Sequence, residues 1–107
     1  MCGIAGFYGN DKEKLNRIKS CGISTIKHRG PDSDGLIHWE DKNSLLIHTR
    51  LAIRDLSNTG SQPMVSKNGR YTIVYNGELY NTEHIKEKFL KNDFNPKGSS
   101  DTEIILE

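Results

Sequence analysis

Long apolar runs and an excess of charge of either sign are both missing from this 107-residue sequence. No stretch approaches the roughly 18–20 apolar residues that a membrane-spanning helix needs. Fifteen Lys and Arg balance fourteen Asp and Glu, giving a net charge of +1, which provides no basic footprint for nucleic acid or an anionic membrane. The first residues also lack the basic segment and apolar stretch of a secretory signal. The sequence therefore predicts a cytoplasmic protein that binds neither nucleic acid nor membrane.

Cysteine is scarce as well. Cys2 and Cys21 are the two in the sequence, which is too few for a disulfide framework and leaves no Cys-x-x-Cys pair for zinc. The four histidines share no metal-ligand spacing, so no metal site is predicted. Hydrophobic residues make up 34% of the chain, enough to separate it from disordered sequences. At this length the chain accommodates one domain at most.

The hydrophobic patterns predict an α+β fold with mostly antiparallel strands. Strands are predicted at 2–8, 36–39, 44–50 and 70–76. Helices are predicted over 11–27, after Asn81 and from position 101. Segment 28–35 has the composition of a turn and 51–64 that of an irregular connection. Cys21 falls near the apolar face of the first helix and is expected to pack there.

The final helix is predicted to begin with a capping box, in which Ser100 is the N-cap and Glu103 the third helical residue. The apolar run 104–106 follows at once, and we expect its packing partners to lie beyond position 107. Residues 1–107 are therefore expected to be the N-terminal part of a larger domain. Such a piece would expose apolar surface and be poorly stable alone, although pairing of two copies as a homodimer could cover that surface.

Cys2 is the first candidate for chemistry. If Met1 is removed, the α-amino group of Cys2 becomes free to act as a base near neutral pH. Base and thiol then belong to one residue, the logic of an N-terminal nucleophile activated by its own amine. From position alone, a small buried hydrophobe at the start of a strand is the more common role of such a cysteine.

The tripeptide Asn76–Gly77–Glu78 is the second candidate. An amide side chain followed by a glycine N–H can present two donors to one developing oxyanion. Asn-Gly is also a common hairpin turn, but the helical pattern after Asn81 offers no strand to pair with. The sequence alone leaves both interpretations open, an oxyanion hole and a hairpin turn.

Three charged residues suit an α-amino acid ligand. Arg50 ends an otherwise apolar strand, where its guanidinium can bind a carboxylate through two hydrogen bonds. Glu78 and Asp101 can hold an ammonium group. Individually, each is more often a solvated surface charge.

Seven motifs together resemble a known family. They occupy positions 1–6, 28–32, 50–53, 55–57, 62–64, 76–81 and 99–103. In this order they resemble the glutaminase domain of glutamine-hydrolysing asparagine synthetase, a class II glutamine amidotransferase of the N-terminal nucleophile type. The resemblance implies an N-terminal nucleophile hydrolase-like αββα sandwich of mainly antiparallel sheets, of which residues 1–107 form the N-terminal part.

The resemblance also implies a role for each matching residue. Cys2 is implied to be the nucleophile with its α-amino group as base, and Asn76 and Gly77 to form the oxyanion hole. L-glutamine is the implied substrate, with Arg50 on its α-carboxylate and Glu78 and Asp101 on its α-ammonium group. Further substrate contacts are implied for Leu51, Ala52, Ile53 and Arg54.

The implied activity is the conversion of glutamine to glutamate and ammonia. In the family, a separate synthetase domain uses ATP and Mg²⁺ to convert aspartate to asparagine with that ammonia; no cofactor is implied for residues 1–107. Two alternatives stay open. One is a non-catalytic glutamine-binding module, and the other an amidotransferase that serves a sugar or another acid. The enzyme and the binding module differ at Cys2: catalysis requires its thiol and the removal of Met1, whereas glutamine binding alone does not.

Overall fold

The computed structural model describes residues 1–53, 57–90 and 94–107, and the elements follow the chain as an α+β arrangement. The strands are β1 (Gly3–Tyr8), β2 (Ser33–Trp39), β3 (Ser44–Arg50), β4 (Met64–Val65) and β5 (Thr72–Ile73). The helices are α1 (Lys12–Ile26), α2 (Thr82–Phe89) and α3 (Asp101–Leu106). Short 3₁₀ turns lie at Lys27–Arg29, Glu40–Lys42 and Asn58–Gly60.

Two antiparallel sheets form within these described residues. The larger has the order β1-β3-β2, and its register pairs Gly3 with Thr49 and Leu36 with Ile47. The smaller pairs β4 with β5. This confirms the α+β prediction with antiparallel sheets, and the arrangement is consistent with an N-terminal nucleophile hydrolase-like fold.

Helix α1 covers one face of the larger sheet. Leu15, Leu45 and Ile47 form the centre of this core, because alternate residues of β3 point toward the helix. Gly22 permits the close approach, since a Cβ there would stand 2.5 Å from Cδ1 of Ile47. The predicted apolar face of the helix is confirmed, whereas the packing predicted for Cys21 is wrong because its side chain is exposed.

Two strands differ from the sequence prediction in their bounds, and β4 (Met64–Val65), which begins at the end of the segment 51–64 predicted as irregular, was not predicted. Strand β2 begins at Ser33, inside the predicted turn 28–35, because its ladder with β3 continues to the Ser33–Arg50 pair. The predicted strand 70–76 shrinks to Thr72–Ile73. On either side of this short strand, backbone N–H groups bond to side chains instead of to a neighbouring strand. The N–H of Tyr71 donates to Ser66 Oγ, and the N–H of Tyr75 donates to Gln62 Oε1.

Helix α3 begins as predicted after the N-cap Ser100, whose hydroxyl accepts from the N–H of Thr102. The Glu103 half of the predicted capping box is wrong. Its carboxylate instead accepts from the N–H groups of Lys97 and Gly98, at 2.8 and 3.2 Å. Ile104 is buried within residues 1–107, which corrects the expectation that the whole run 104–106 would lack packing partners.

Candidate active site

The first wall of the candidate site lies where β1 begins and β3 ends. Antiparallel pairing of Gly3 with Thr49 brings Cys2 beside the end of β3. The N–H of Leu51 donates to Cys2 Sγ at 3.4 Å, and Sγ lies 3.8 Å from the Leu51 carbonyl oxygen. The half-buried thiol is thus held against the backbone of one residue, Leu51, at the edge of the sheet.

Arg50 forms the floor next to this thiol. Its side chain is only 8% exposed, and Nη1 donates to the carbonyl of Ser57 at 2.6 Å. Its own carbonyl accepts from the N–H of Asp32 at 3.0 Å. A buried guanidinium fixed at both its backbone and its side chain is a strong receptor for a carboxylate.

The turn 28–32 supports the irregular segment that follows β3. Asp32 Oδ2 accepts from the N–H of Ala52 at 2.8 Å. The turn lies directly on β3, because a Cβ at Gly30 would stand 2.3 Å from the carbonyl oxygen of Thr49. These contacts orient residues 51–53, which no regular sheet pairing holds.

The second wall combines the segment after β5 with the start of α3. Gln62 is buried and connects both parts, accepting from the N–H of Tyr75 at 2.6 Å and donating to Thr102 Oγ1 at 3.1 Å. Asp101 Oδ2 accepts from the N–H of Leu79 at 2.8 Å. These hydrogen bonds span 13 to 40 residues of sequence and bring Asp101 to the exposed residues 76–78.

One cavity of about 380 Å³ lies between the two walls. Nine sequence-predicted site residues line it: Cys2, Arg50, Leu51, Ala52, Ile53, Asn76, Gly77, Glu78 and Asp101. The tenth, Arg54, lies outside the described residues. The sequence motifs thus converge on one place, although they are up to about 100 residues apart in the chain.

The cavity is also lined by residues that the sequence did not single out for the site: Met1, His48, Gly60, Gln62, Tyr75, Ser100 and Thr102. Alternation along β3 carries a signal for His48, since it lies two residues before Arg50 and hence on the same sheet face. Gln62 and Thr102 lie in the motifs 62–64 and 99–103, but nothing in the sequence indicates that they contact each other across 40 positions.

His48 is the least satisfied polar side chain in the cavity wall. It is 1% exposed, and neither ring nitrogen has a hydrogen-bond partner among residues 1–53, 57–90 and 94–107. Burial lowers the pKa of His48; the nearby backbone of Tyr75 offsets part of this, and the positive charge of Arg50 adds a smaller lowering effect. The imidazole is therefore neutral at pH 7 and has one donor and one acceptor to offer.

The cavity offers complementary groups to a zwitterionic ligand. It contains a thiol, a buried guanidinium, two carboxylates at Glu78 and Asp101, and the amide side chain of Asn76. Within the described part of the chain, no three His, Cys, Asp or Glu side chains come together as a metal-binding group. None of the helices described is long and apolar enough to cross a membrane.

Comparison with known proteins gives consistent results. The model of a glutamine amidotransferase domain matches residues 1–107. A putative glutamine-hydrolysing asparagine synthetase 2 of Methanocaldococcus jannaschii is 40% identical over 126 residues, covering 99% of this chain and 23% of the relative. Asparagine synthetase 3 of Bacillus subtilis is 36% identical over 110 residues, covering 99% of this chain and 17% of the relative.

A third relative is not named as an asparagine synthetase. Amidase chry2 of Gibberella zeae is 35% identical over 118 residues, covering 99% of this chain and 17% of the relative. The chain thus spans less than a quarter of the length of these three relatives. No solved structure matches.

Proposed function

The chain belongs to the glutamine amidotransferase family, similar to the N-terminal regions of glutamine-hydrolysing asparagine synthetases, and on that premise we propose that it hydrolyses glutamine with Cys2 as nucleophile. One observation carries the proposal: a single cavity gathers a thiol, a buried guanidinium, an Asn-Gly pair and two carboxylates. These are the groups needed to bind an α-amino acid at both charged ends and to attack its side chain.

The proposed reaction starts with removal of Met1, which frees the α-amino group of Cys2. That amine takes the thiol proton, and the thiolate attacks the side-chain carbonyl carbon of glutamine. The carbon–nitrogen bond then breaks, the amine returns the proton to the leaving nitrogen, and ammonia departs. Water hydrolyses the remaining thioester to glutamate, with the same amine as base.

The other cavity residues are assigned by charge and position. Arg50 holds the α-carboxylate, and Glu78 and Asp101 hold the α-ammonium group. The Asn76 side chain and the Gly77 N–H stabilise the oxyanion that develops on the carbonyl oxygen. Backbone groups of residues 51–53 complete the substrate contacts, and Arg54 is proposed to join them.

In the complete protein, we propose that ammonia passes to a synthetase domain that uses ATP and Mg²⁺ to amidate aspartate. Residues 1–107 are accordingly proposed to be part of its amidotransferase domain, working in the cytoplasm. Pairing of two copies stays a prediction. A second candidate is that the same glutaminase serves a different acceptor, since Amidase chry2, similar across 99% of this chain, is not named as an asparagine synthetase.

The test begins with the intact mass of the purified full-length protein. Loss of Met1 is expected, because a retained Met1 blocks the amine that must act as base. Glutamate release is then measured for the wild type and for Cys2→Ala, with Cys21→Ala, an exposed cysteine, as the matched control. Retained Met1, or no glutamate release by the wild type, would favour a binding module over an enzyme, whereas unchanged release in Cys2→Ala would refute Cys2 as the nucleophile. Comparing aspartate with other acceptors identifies the nitrogen acceptor.

A further inference from the structure

The phenol ring of Tyr75 occupies the space beside Gly77. A Cβ built on Gly77 would stand 2.7 Å from the Tyr75 hydroxyl oxygen and 2.8 Å from Cζ. Gly77 is not among the glycines with positive φ, so its backbone conformation alone does not demand glycine. The Tyr75 ring lies so close that a side chain at position 77 would force it to move from its place beside Gly77.

Tyr75 shares the wall of the cavity with two carboxylates. Tyr75, Glu78 and Asp101 line the same cavity. Burial raises the pKa of Tyr75, and the negative charges of Asp101 and Glu78 raise it further, with a smaller contribution from Tyr80. The hydroxyl therefore stays protonated and polar next to the two acids.

The backbone of Tyr75 is fixed independently of any ligand. Its N–H donates to Gln62, which is itself anchored on Thr102 in α3. The backbone that carries the phenol is thus held by a buried hydrogen-bond network. Such pre-organisation reduces the entropy lost when a ligand group binds there.

We propose that the Tyr75 hydroxyl is a third ligand of the substrate α-ammonium group, beside Glu78 and Asp101, and so selects substrates that carry a primary amine. An ammonium group has three N–H donors, and two carboxylates leave one of them to satisfy. A tyrosine hydroxyl can donate its proton to one carboxylate while its oxygen accepts from the ammonium. The inference rests on the proposed glutaminase function and adds a specificity-determining residue to it.

The test compares Tyr75→Phe with the wild type on two substrates. One is glutamine and the other glutaramate, which is glutamine without its α-amino group. We expect kcat/KM for glutamine to fall by roughly tenfold, mainly through KM, the scale of one hydrogen bond to a charged group. For glutaramate, kcat/KM should be unchanged. Tyr80→Phe, which alters a side chain that is 83% exposed, is the matched control.

Equal losses on both substrates would overturn the inference, because a structural role of the ring affects them alike. No loss on glutamine would overturn it too. The same comparison of dissociation constants is made in the Cys2→Ala background, where no turnover is needed. Weaker glutamine binding in Tyr75→Phe there supports the ammonium contact even if Cys2 proves not to be the nucleophile. Absence of glutamine binding by the unsubstituted cavity would overturn both proposals.

Discussion

Asp101 accepts a 2.8 Å hydrogen bond from the backbone N–H of Leu79, so the first residue of α3 is tied to the segment that carries residues 76–78. One carboxylate oxygen thus holds this segment in place. The carboxylate also adds negative charge to the cavity wall. Structure and charge can be separated at this residue, because asparagine keeps the acceptor and removes the charge.

For Asp101→Asn we expect the KM for glutamine to rise by roughly 10- to 100-fold, the range for losing a charged hydrogen bond. The turnover number should change much less, since the amide oxygen still accepts from Leu79. Asp101→Ala removes both functions and should lower kcat as well. Steady-state glutamate release measures both constants. A wild-type KM in Asp101→Asn would contradict the assignment of this acid to the ammonium group.

The Gln62 network is expected to stabilise the second wall. Gln62→Ala leaves the N–H of Tyr75 and the hydroxyl of Thr102 without their partner, which should cost about 1–3 kcal/mol in the free energy of unfolding. Thr102→Val removes the other end of the same contact, whereas Thr102→Ser keeps the hydroxyl. Urea denaturation measures all three variants. Since Gln62→Ala and Thr102→Val break one shared bond, their double variant should lose less than the sum; full additivity would argue against coupling.

Asn76 is expected to act on the chemical step. Asn76→Ala removes one proposed oxyanion donor, which should lower kcat on the order of 10²–10³-fold. The KM for glutamine should stay nearly constant, because the ground-state carbonyl needs this donor less than the oxyanion does. Asn81→Ala is the control, since Asn81 is exposed and makes no capping hydrogen bond. A rise in KM with unchanged kcat would assign Asn76 to binding instead.

Local patterns predicted what depends on near neighbours in the chain. The apolar spacing from Leu15 to Ile26 predicts α1, whose apolar face the structure confirms. The apolar residues Leu45, Leu46 and Ile47 predict β3, in which Leu45 and Ile47 are buried under the helix on one face. The family motifs brought in nine residues that now line one cavity.

What the sequence did not predict depends on contacts that side chains make with irregular segments of the chain. The strand 70–76 was overestimated because the N–H of Tyr75 bonds a glutamine side chain 13 residues away instead of a neighbouring strand. The Glu103 carboxylate does not complete a capping box, because it accepts hydrogen bonds from the N–H groups of Lys97 and Gly98 instead. The position of the Tyr75 phenol beside Gly77 likewise depends on the backbone path after β5, which the sequence pattern does not predict.

Gly22 tests how tightly α1 packs on the sheet. Alanine favours a helix over glycine by about 1 kcal/mol, yet its Cβ would stand 2.5 Å from Cδ1 of the fully buried Ile47. Overpacking of this kind costs about 1–3 kcal/mol, so Gly22→Ala should destabilise the protein. Ile47→Val removes the colliding methyl group, and in that background Gly22→Ala should become stabilising. Chemical denaturation of the four proteins checks the change of sign.

His48 is expected to make stability depend on pH. Burial and the charge of Arg50 lower its pKa in the folded protein below the ordinary value of 6.5. Between these two pKa values the unfolded chain binds more protons than the folded one, so the free energy of unfolding rises with pH there. Stability should thus fall as the pH drops below 6.5, until the folded pKa is passed.

His48→Gln removes this titration while keeping a polar side chain in the cavity wall. Urea denaturation at several pH values between 7.5 and 5 should show the wild type losing more stability than His48→Gln as the pH falls. Other groups titrate equally in both proteins and cancel in the difference. The same substitution at His84, an exposed residue of α2, is the matched control. Parallel curves for the wild type and His48→Gln would mean that His48 accepts its proton equally well in the folded and the unfolded chain, and that its buried ring finds a partner when charged.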